Sequence, residues 1–544
     1  MSRNGWVQAG LLVAAVLVVF GRVVTFEFVR WDDDINITGN PLLQMPWSWE
    51  LAAKLFESDQ AMRFKPLHWL LDLAVQRAFG FAPWAWHALN LVLHAMAAGL
   101  FLLCLRRVFR LAGGALAGVT GERVAWLAAA LWALHPLRAE PVAWATASTY
   151  PFTTVWLLAS FACYVEAVGF GRGPRWLVAS WLCAVASYAS YPVGLSYAGF
   201  LLVADEWLRS RSRTAPERTS VGGWPQRLGR YAAFFLPAAA AAGFTIWTRY
   251  TAPGIFTSAP PIAEVDVGTR VAMALASIAH LAGRFFWPGR MSPNIPPTDL
   301  TWTLLPWVFA LAALALGLLA WLWRGRVRHP GMFFAGAGFA ALSLPCLGLT
   351  ERPTWPVDRY NYLVHLPLAA GVCGWVGLRW SEGRWRSLGL VVPLLLVIAA
   401  AQAFAQTGIW RDSRALFGFM ERERQFGAEP RQQAHVYFLW AAHEGERGEE
   451  KRAQELFARA HAVFLDAMRA AVAKGDYREA LGLSMDYTRY FRVTPELLRE
   501  RGAWLLRLEN RAAARVELEA ARNLAPGDAR IAELLREAAE GSGR

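Results

Sequence analysis

The sequence predicts an all-α protein made of a polytopic bundle of about eleven membrane helices (residues 1–408) and a soluble helical tail (residues 409–544). Hydrophobic residues make up 55% of its 544 residues, with 28 Trp and 31 Phe, whereas ordinary globular domains contain about 45–50% apolar residues. The excess is concentrated in runs such as 304–323 and 388–404, close to the length of about 20 residues that crosses a hydrocarbon core. After about residue 409 these runs stop, and the sequence becomes charged and Ala-rich.

The topology follows from the basic residues, which cluster at every second connection between apolar runs, as the positive-inside rule requires. The first run is read as a retained signal-anchor helix, because it has no clean small-residue cleavage site. The N-terminus is then cytoplasmic, and the tail lies outside with the loops 29–85, 138–151, 251–301 and 350–360. We expect segment 269–287 to be an outer-face or re-entrant helix, because another crossing would invert every later loop. The predicted spans are 7–28, 86–105, 124–137, 152–170, 176–189, 191–208, 231–250, 302–323, 331–349, 361–378 and 387–408.

The net charge of +13 does not indicate a nucleic-acid partner. Residues 408–544 contain 23 basic and 22 acidic residues, so the excess belongs to short loops of the membrane part, where topology explains it. The five cysteines all lie in apolar segments and are predicted to be small core residues; they are Cys104, Cys163, Cys183, Cys346 and Cys373. No Cys/His spacing suggests a zinc site.

The tail carries apolar and Ala positions at helical spacing in 452–464, 477–491 and 512–524. Turns at Gly448, Gly475 and 526–528 separate these helices. The pattern resembles about three degenerate tetratricopeptide repeats, one of them atypical. Stacks of this kind present a concave face to a polypeptide partner; the alternative is a plain helical cap without a ligand.

Three adjacent carboxylates, those of Asp32, Asp33 and Asp34, follow the first predicted helix. Like charges repel and loss of water disfavours the ionised form, so at least one of the three pKa values is expected to be raised. Such a carboxylate suits a general base for an acceptor hydroxyl. The alternative is a solvated Asp-rich turn, since Asn36 and Pro41 follow closely.

Four cations from separate outer segments are predicted to converge on the leaflet that carries the acidic run. Carboxylates beside such cations suit a phosphate leaving group next to a deprotonated acceptor. Taken singly, each cation is more often an anchor for a lipid headgroup. The cations are Lys65, Arg138, Arg284 and Arg359, and the polar residues expected to support them are His135, Glu140, Asp358 and Tyr360.

His87, Asn90 and His94 are spaced i, i+3 and i+7, so they share one face of the second predicted span. Polar groups on one membrane-helix face normally point into the bundle or a cavity. Hydrogen bonding between helices is the simpler explanation, and a metal site with two histidines is the other. No phosphate-binding glycine motif is present, so a nucleotide-driven mechanism has no support, and a sugar donor used outside the cytoplasm would be lipid-linked.

Seven motifs in this order resemble the bacterial relatives of the transmembrane and tetratricopeptide repeat-containing proteins, a branch of the GT-C glycosyltransferases. The likeness covers roughly residues 20–420, and the repeat tail fits the same architecture. The motifs are FVRWDDDINITGNP (28–41), RFKPLHWLLD (63–72), WHALNLVLHAM (86–96), ALHPLRAEPVAW (133–144), FFWP (285–288), DRYNYL (358–363) and IWRDSRALF (409–417).

The resemblance implies a GT-C enzyme of a bacterial inner membrane. It would move a sugar, typically mannose, from a polyprenyl monophosphate to a hydroxyl of a protein or another acceptor on the outer face. Asp32 and Asp33 occupy the family's catalytic acidic pair, with Asp34 in support. Lys65 stands where the family usually has Arg, Arg284 where it usually has Lys, and 358–359 fit its Asp-Arg-Tyr motif. No cofactor is required, and a divalent metal is optional.

The sequence departs from the family at two places. Residues 147–150 read Ala-Ser-Thr-Tyr where a charged run is usual, and Tyr191 replaces the Lys of a Ser-Lys-Pro turn. Three explanations stand: Arg138 and Arg284 suffice, the donor differs, or catalysis has been lost. In the last case the chain is a non-catalytic membrane scaffold whose decayed transferase body anchors a repeat domain.

Overall fold

The structure is a computed structural model that describes residues 3–56, 64–211, 224–251, 267–289, 305–349, 356–382, 388–423, 425 and 430–539. All regular secondary structure within these ranges is helical. Six helical segments among the described residues are long and apolar enough to cross a membrane. The prediction of an all-helical fold is confirmed for the described residues, and these segments agree with the predicted membrane location. These segments are Gly5–Thr25, Pro83–Ala112, Ala145–Gly169, Pro306–Gly325, Asp358–Ser381 and Val391–Trp410.

The α-helices are numbered in chain order. The first sixteen are α1 Arg3–Phe20, α2 Pro41–Gln44, α3 Trp49–Lys54, α4 Pro66–Phe79, α5 Pro83–Ala112, α6 Val119–Ala133, α7 Ala139–Ala143, α8 Thr149–Tyr164, α9 Pro174–Ser190, α10 Tyr197–Arg211, α11 Trp224–Thr251, α12 Val267–Phe286, α13 Leu305–Gly325, α14 Pro330–Ser343, α15 Asn361–Ser381 and α16 Leu388–Thr407. The others are α17 Ser413–Arg422, α18 Pro430–Glu446, α19 Glu450–Ala473, α20 Tyr477–Tyr487, α21 Pro495–Arg507, α22 Arg511–Leu524 and α23 Ala529–Ala539.

Several α-helices end earlier than the predicted spans, and two of these ends are informative. The helix predicted over 7–28 ends at Phe20 and continues as a 3-10 turn to Thr25, where Arg22 stacks on Phe404 and donates a hydrogen bond to Thr407 at 2.9 Å. The helix predicted over 124–137 ends at Ala133. The physical reason is Pro136, because the residue before a proline avoids helical dihedrals, and His135 is extended (φ −65°, ψ 138°).

The predicted first outer loop is folded into helices α2, α3 and α4. Asn40 and Ser48 begin the first two, each accepting a hydrogen bond from a backbone amide two or three residues onward. Buried apolar side chains from all three helices pack together with Trp86 of α5; among them are Leu43, Leu51, Trp69 and Leu73. The acidic run therefore lies at the edge of a packed unit and not in an extended loop.

The helices of the membrane part pack around α5 and α15. Helix α5 contacts α1, α6 and α8, while α15 contacts α6, α12 and α14. Helix α12 covers the segment 269–287 and packs on α13 through Met273, Ala276 and Val308. All five cysteines are free and at least half-buried. Several predictions fall outside the described residues: most of loop 251–301, residues 350–355 and part of the basic loops 209–230 and 379–386.

The chain divides into two compact units, Met1–Leu416 and Phe417–Arg544. In the second unit, each helix from α18 to α23 packs against the next in sequence. The turns at Gly448 and Gly475 have φ of 78° and 75°, the left-handed conformation that glycine adopts without strain. Helices α21 and α22 approach closely where Gly502 faces Leu518, because a Cβ at Gly502 would come within 2.4 Å of that side chain.

Candidate functional site

The predicted site residues gather around the segment between α6 and α8, which we call the 138–150 connection. It folds as α7 and a 3-10 turn at Ala145–Ser148, and Thr146 is its only residue that is not buried. Residues from four other parts of the chain hydrogen-bond to it. The connection therefore sets the geometry of the candidate site.

The carboxylate of Asp33 is fully buried and clamps the acidic run to this connection. One oxygen accepts hydrogen bonds from the backbone amide and the hydroxyl of Thr146, at 3.0 and 2.5 Å. The other accepts from the backbone amide of Val29 at 2.9 Å. Burial raises the pKa of Asp33 to about 7, although these donors oppose the rise. Asp33 thus holds the loop in place, with both oxygens occupied.

Asp32 differs from Asp33 in exposure and in backbone conformation. Its side chain is exposed, and its φ of 70° lies in the left-handed region that residues other than glycine seldom adopt. The hydrogen bond from the amide of Asn36 to the Asp32 carbonyl, 2.7 Å long, helps to hold this conformation. Strained residues of this kind concentrate at functional sites.

Asp34 and Arg30 form a looser pair beside the clamp. Their side chains are 3.7 Å apart, with about a third of Asp34 exposed. Burial raises the pKa of Asp34 and the Arg30 guanidinium opposes this. The backbone amide of Arg30 donates to Ser413 at 2.8 Å, and that of Glu27 donates to the carbonyl of Arg411 at 2.9 Å. The loop before the acidic run is thus tied to the segment that follows α16.

Arg359 reaches the connection from the start of α15. It donates to the Glu140 carboxylate at 2.9 Å and to the Tyr150 hydroxyl at 3.2 Å. Its guanidinium also lies 5.4 Å from the ring centroid of Trp144 and 5.9 Å from that of Tyr360. Burial raises the pKa of Glu140, and Arg359 opposes the rise. This buried ion pair joins two predicted site residues directly.

Arg284 and Asp358 form a second pair, which is bidentate. The two hydrogen bonds are 3.0 and 2.7 Å long, a geometry that matches guanidinium to carboxylate. Since Asp358 precedes Arg359, the pair joins α12 to the start of α15 beside the connection. Arg284 is therefore already neutralised by a carboxylate, which the sequence did not predict.

Arg138 is fully buried within the bundle. It donates to the carbonyl of Trp132 at 3.0 Å, and its Nη2 lies 3.2 Å from Nδ1 of His365. Its Nη1 is buried without a hydrogen-bond partner among the described residues. The neighbouring His135 stacks on Phe285, at 5.8 Å between ring centroids, and hydrogen-bonds to that residue's carbonyl at 3.1 Å. Both residues join the connection to α12 and α15.

Lys65 is buried over Trp69, with its ammonium 3.6 Å from the ring centroid. One helical turn away, His68 lies 2.9 Å from the Asp72 carboxylate and hydrogen-bonds to Ser148 at 2.8 Å. Burial lowers the pKa of His68, against the effect of Asp72. Helix α4 is thereby attached to the same connection as the acidic run.

His87, Asn90 and His94 are buried, and each has separate partners. His87 hydrogen-bonds to the carbonyl of Glu27 at 3.3 Å, and Asn90 donates to that of Trp144 at 2.7 Å. His94 bonds to the Tyr362 hydroxyl at 2.8 Å and to the carbonyl of Ala133 at 3.0 Å. These contacts fit the helix-to-helix explanation of the polar face. Among the described residues, no cluster of three His, Cys, Asp or Glu could hold a metal ion.

Sequence reasoning missed the residues of the connection that bind the others. Thr146, Ser148 and Tyr150 hydrogen-bond to Asp33, His68 and Arg359 respectively. Trp144 donates to the carbonyl of Trp31 at 2.9 Å and stacks on Trp410 at 5.1 Å. Three hydroxyl groups of the connection thus hydrogen-bond to titratable side chains from other parts of the chain. One signal was present for Asp72, which follows His68 at i+4.

The arrangement combines an exposed carboxylate at positive φ, that of Asp32, with arginines that are held by Glu140 and Asp358. Arg359 retains donor capacity, because its Nη2 makes no hydrogen bond to the described residues. A carboxylate of this kind can remove a proton, and a guanidinium can stabilise a departing phosphate.

Comparison with known proteins found no matching family model, no matching curated protein and no matching solved structure.

Proposed function

We propose that this chain is a GT-C type membrane glycosyltransferase. It moves a sugar, mannose by the resemblance, from a polyprenyl-phosphate carrier to a hydroxyl of a protein or another acceptor. The observation that carries the proposal is the contrast between Asp32 and Asp33. The Asp33 carboxylate is hydrogen-bonded through both oxygens, while the adjacent Asp32 is exposed with a positive φ. Backbone strain that the surroundings maintain is typical of functional residues.

The reaction is an inverting displacement. Asp32 takes the proton of the acceptor hydroxyl, whose oxygen forms a bond to the anomeric carbon of the sugar. The bond from that carbon to the phosphate oxygen breaks, and polyprenyl phosphate leaves with the electron pair. Arg359 stabilises this phosphate, since charge-assisted hydrogen bonds from arginine are strong and directional. Asp34 supports the base, and the step needs no cofactor.

The membrane part adopts the eleven-span topology in this proposal. Every predicted span coincides with a helix or with most of one, and six meet the criteria of length and hydropathy. The N-terminus lies in the cytoplasm of a bacterial cell, while the site and the tail face the outside of the inner membrane. The tail, built as about three tetratricopeptide-like repeats, recruits the polypeptide acceptor or a partner.

A non-catalytic scaffold is the second candidate. The observation that favours it is the pairing of the cations, since Arg284 is held by Asp358 and Arg359 by Glu140. In this function the ion pairs are structural, and the body anchors the repeat tail for assembly with other proteins.

Donor binding separates the two functions. Full-length protein in detergent is titrated with fluorescent polyprenyl-phosphate mannose, and unlabelled polyprenyl phosphate and polyprenol serve as competitors. The transferase predicts saturable binding that polyprenyl phosphate displaces and polyprenol does not, because the cations recognise the phosphate. Binding that is absent, or that both competitors displace equally, supports the scaffold.

A further inference from the structure

A cavity of about 560 Å³ lies between α5, α8, α10, α14 and α15. Helix α5 meets the connection at Asn90 and lines the cavity from Phe101 to Ala112. At about 1.5 Å of rise per residue, Asn90 and Phe109 are about 28 Å apart along the helix. The part of the cavity near Phe109 is therefore distant from the connection, while its apolar lining extends to Leu366, next to His365.

The walls of the cavity are apolar and closely packed. Phe109, Phe161, Phe200 and Trp207 line it. On one side α14 and α15 touch, because a Cβ at Gly371 would lie 2.4 Å from that of Ala335. The volume falls within the range of about 300–1,000 Å³ that is typical of small-molecule sites.

One end of the cavity is cationic. Arg211, Arg328 and His329 line it there, and all three side chains are exposed. Arg211 reaches the carbonyl of Ala112 only at the hydrogen-bond limit of 3.5 Å. No carboxylate occurs among the described residues that line the cavity, so the positive charge at this end has no counter-charge within the lining.

We propose that this cavity binds one anionic membrane phospholipid, with an acyl chain between the aromatic walls and the phosphate between Arg211 and Arg328. The occupant is argued from charge complementarity. Guanidinium groups attract an anionic headgroup, whereas the ammonium of a zwitterionic headgroup is repelled by the same cations. The proposal does not depend on the transferase function, because none of these residues belongs to the candidate site.

The test measures which lipid the full-length protein retains. Protein in detergent is exchanged into phosphatidylglycerol or phosphatidylcholine at equal concentration, and bound lipid is counted by native mass spectrometry. The double variant Arg211→Gln/Arg328→Gln removes the cationic end. The matched control is Arg209→Gln/Arg326→Gln, which removes two arginines of the same helix end and turn that do not line the cavity. Ala370→Phe fills the apolar part.

We expect the native chain and the control to favour phosphatidylglycerol about tenfold, and the double variant to lose the preference. Ala370→Phe should reduce retention of both lipids. Equal retention of the two lipids by the native chain, or an undiminished preference in the double variant, overturns the proposal. If the double variant does not fold, the single variant Arg328→Gln replaces it. Arg328 is exposed on the turn before α14, and this change should weaken the preference for phosphatidylglycerol.

Discussion

One carboxylate oxygen of Asp33 accepts hydrogen bonds from both the backbone amide and the hydroxyl of Thr146, at 3.0 and 2.5 Å. The two residues are far apart in sequence: Asp33 directly precedes a π-helical turn, and Thr146 lies in a 3-10 turn. The contact joins the acidic run to the connection that also holds Arg359. The segment that carries Asp32, the proposed base, and Arg359, the proposed phosphate-binding residue, are therefore both bound to the same connection.

Asp33→Ala should destabilise the protein strongly. The change leaves the buried amide of Val29 and the partly buried amide of Thr146 without an acceptor, and an unsatisfied buried group costs about 1–3 kcal/mol. Thermal unfolding in detergent should show a melting temperature lower by several degrees. Asp34→Ala is the control, since its loose, partly exposed contact with Arg30 contributes under about 1 kcal/mol. Equal melting temperatures for the two variants would contradict the clamp.

The stability contributed by Asp33 should fall as pH rises. Burial raises the pKa of Asp33 from its ordinary value of 3.8 to about 7, so between these pH values the folded state holds a proton that the unfolded state releases. This contribution is fully present below the unfolded pKa of about 4 and is lost as pH rises through about 7. Asp33→Asn does not titrate. The melting temperature of the native chain relative to this variant should decrease between pH 5 and pH 8; a difference that is constant or increases argues against the shift.

Glu140 and Arg359 should behave as a coupled pair. Removing one partner leaves the other charge buried and uncompensated, which costs about 3–5 kcal/mol, whereas replacing both partners can be nearly neutral. Glu140→Leu and Arg359→Leu should therefore each destabilise the protein more than the double variant does. A double-mutant cycle of unfolding free energies measures this coupling. Additive effects of the two single changes would show that the 2.9 Å contact does not couple them.

Gly502 and Gly527 should respond differently to alanine. A Cβ at Gly502 would lie 2.4 Å from the buried side chain of Leu518, whereas one at Gly527 meets nothing within 4 Å. Overpacking of this kind costs about 1–3 kcal/mol, and an exposed substitution changes stability by under about 0.5 kcal/mol. Thermal unfolding of the two variants measures the difference. Similar stability would mean that α21 and α22 do not pack this closely.

Local patterns in the sequence were enough to predict most helices. Apolar run length and the position of Pro and Gly located the helices of both units, because these signals act within a few residues. The helix end at Ala133 was missed even though Pro136 was visible. Beside the other early end, Arg22 contacts Phe404 and Thr407 of α16, which no local pattern could reveal.

The pairing within the site could not be predicted, because it joins residues from distant segments. The neighbouring sequence does not distinguish Asp32 from Asp33. In the structure, however, Asp32 is exposed with φ 70°, and Asp33 is buried. Asp33 binds Thr146, which lies more than a hundred residues later in the chain. In the same way, the sequence showed only that residues 147–150 lack charge. It could not show that Ser148 hydrogen-bonds to His68 and Tyr150 to Arg359.

The most direct test of the account is sugar transfer by Asp32→Asn. Purified full-length protein is supplied with polyprenyl-phosphate mannose and acceptor, and turnover and donor binding are measured together with the melting temperature. We predict that turnover falls by at least about 100-fold, as expected for a lost general base, while donor binding and melting temperature match those of the native chain. Turnover by Asp32→Asn at the native rate would contradict the assignment of Asp32 as the base.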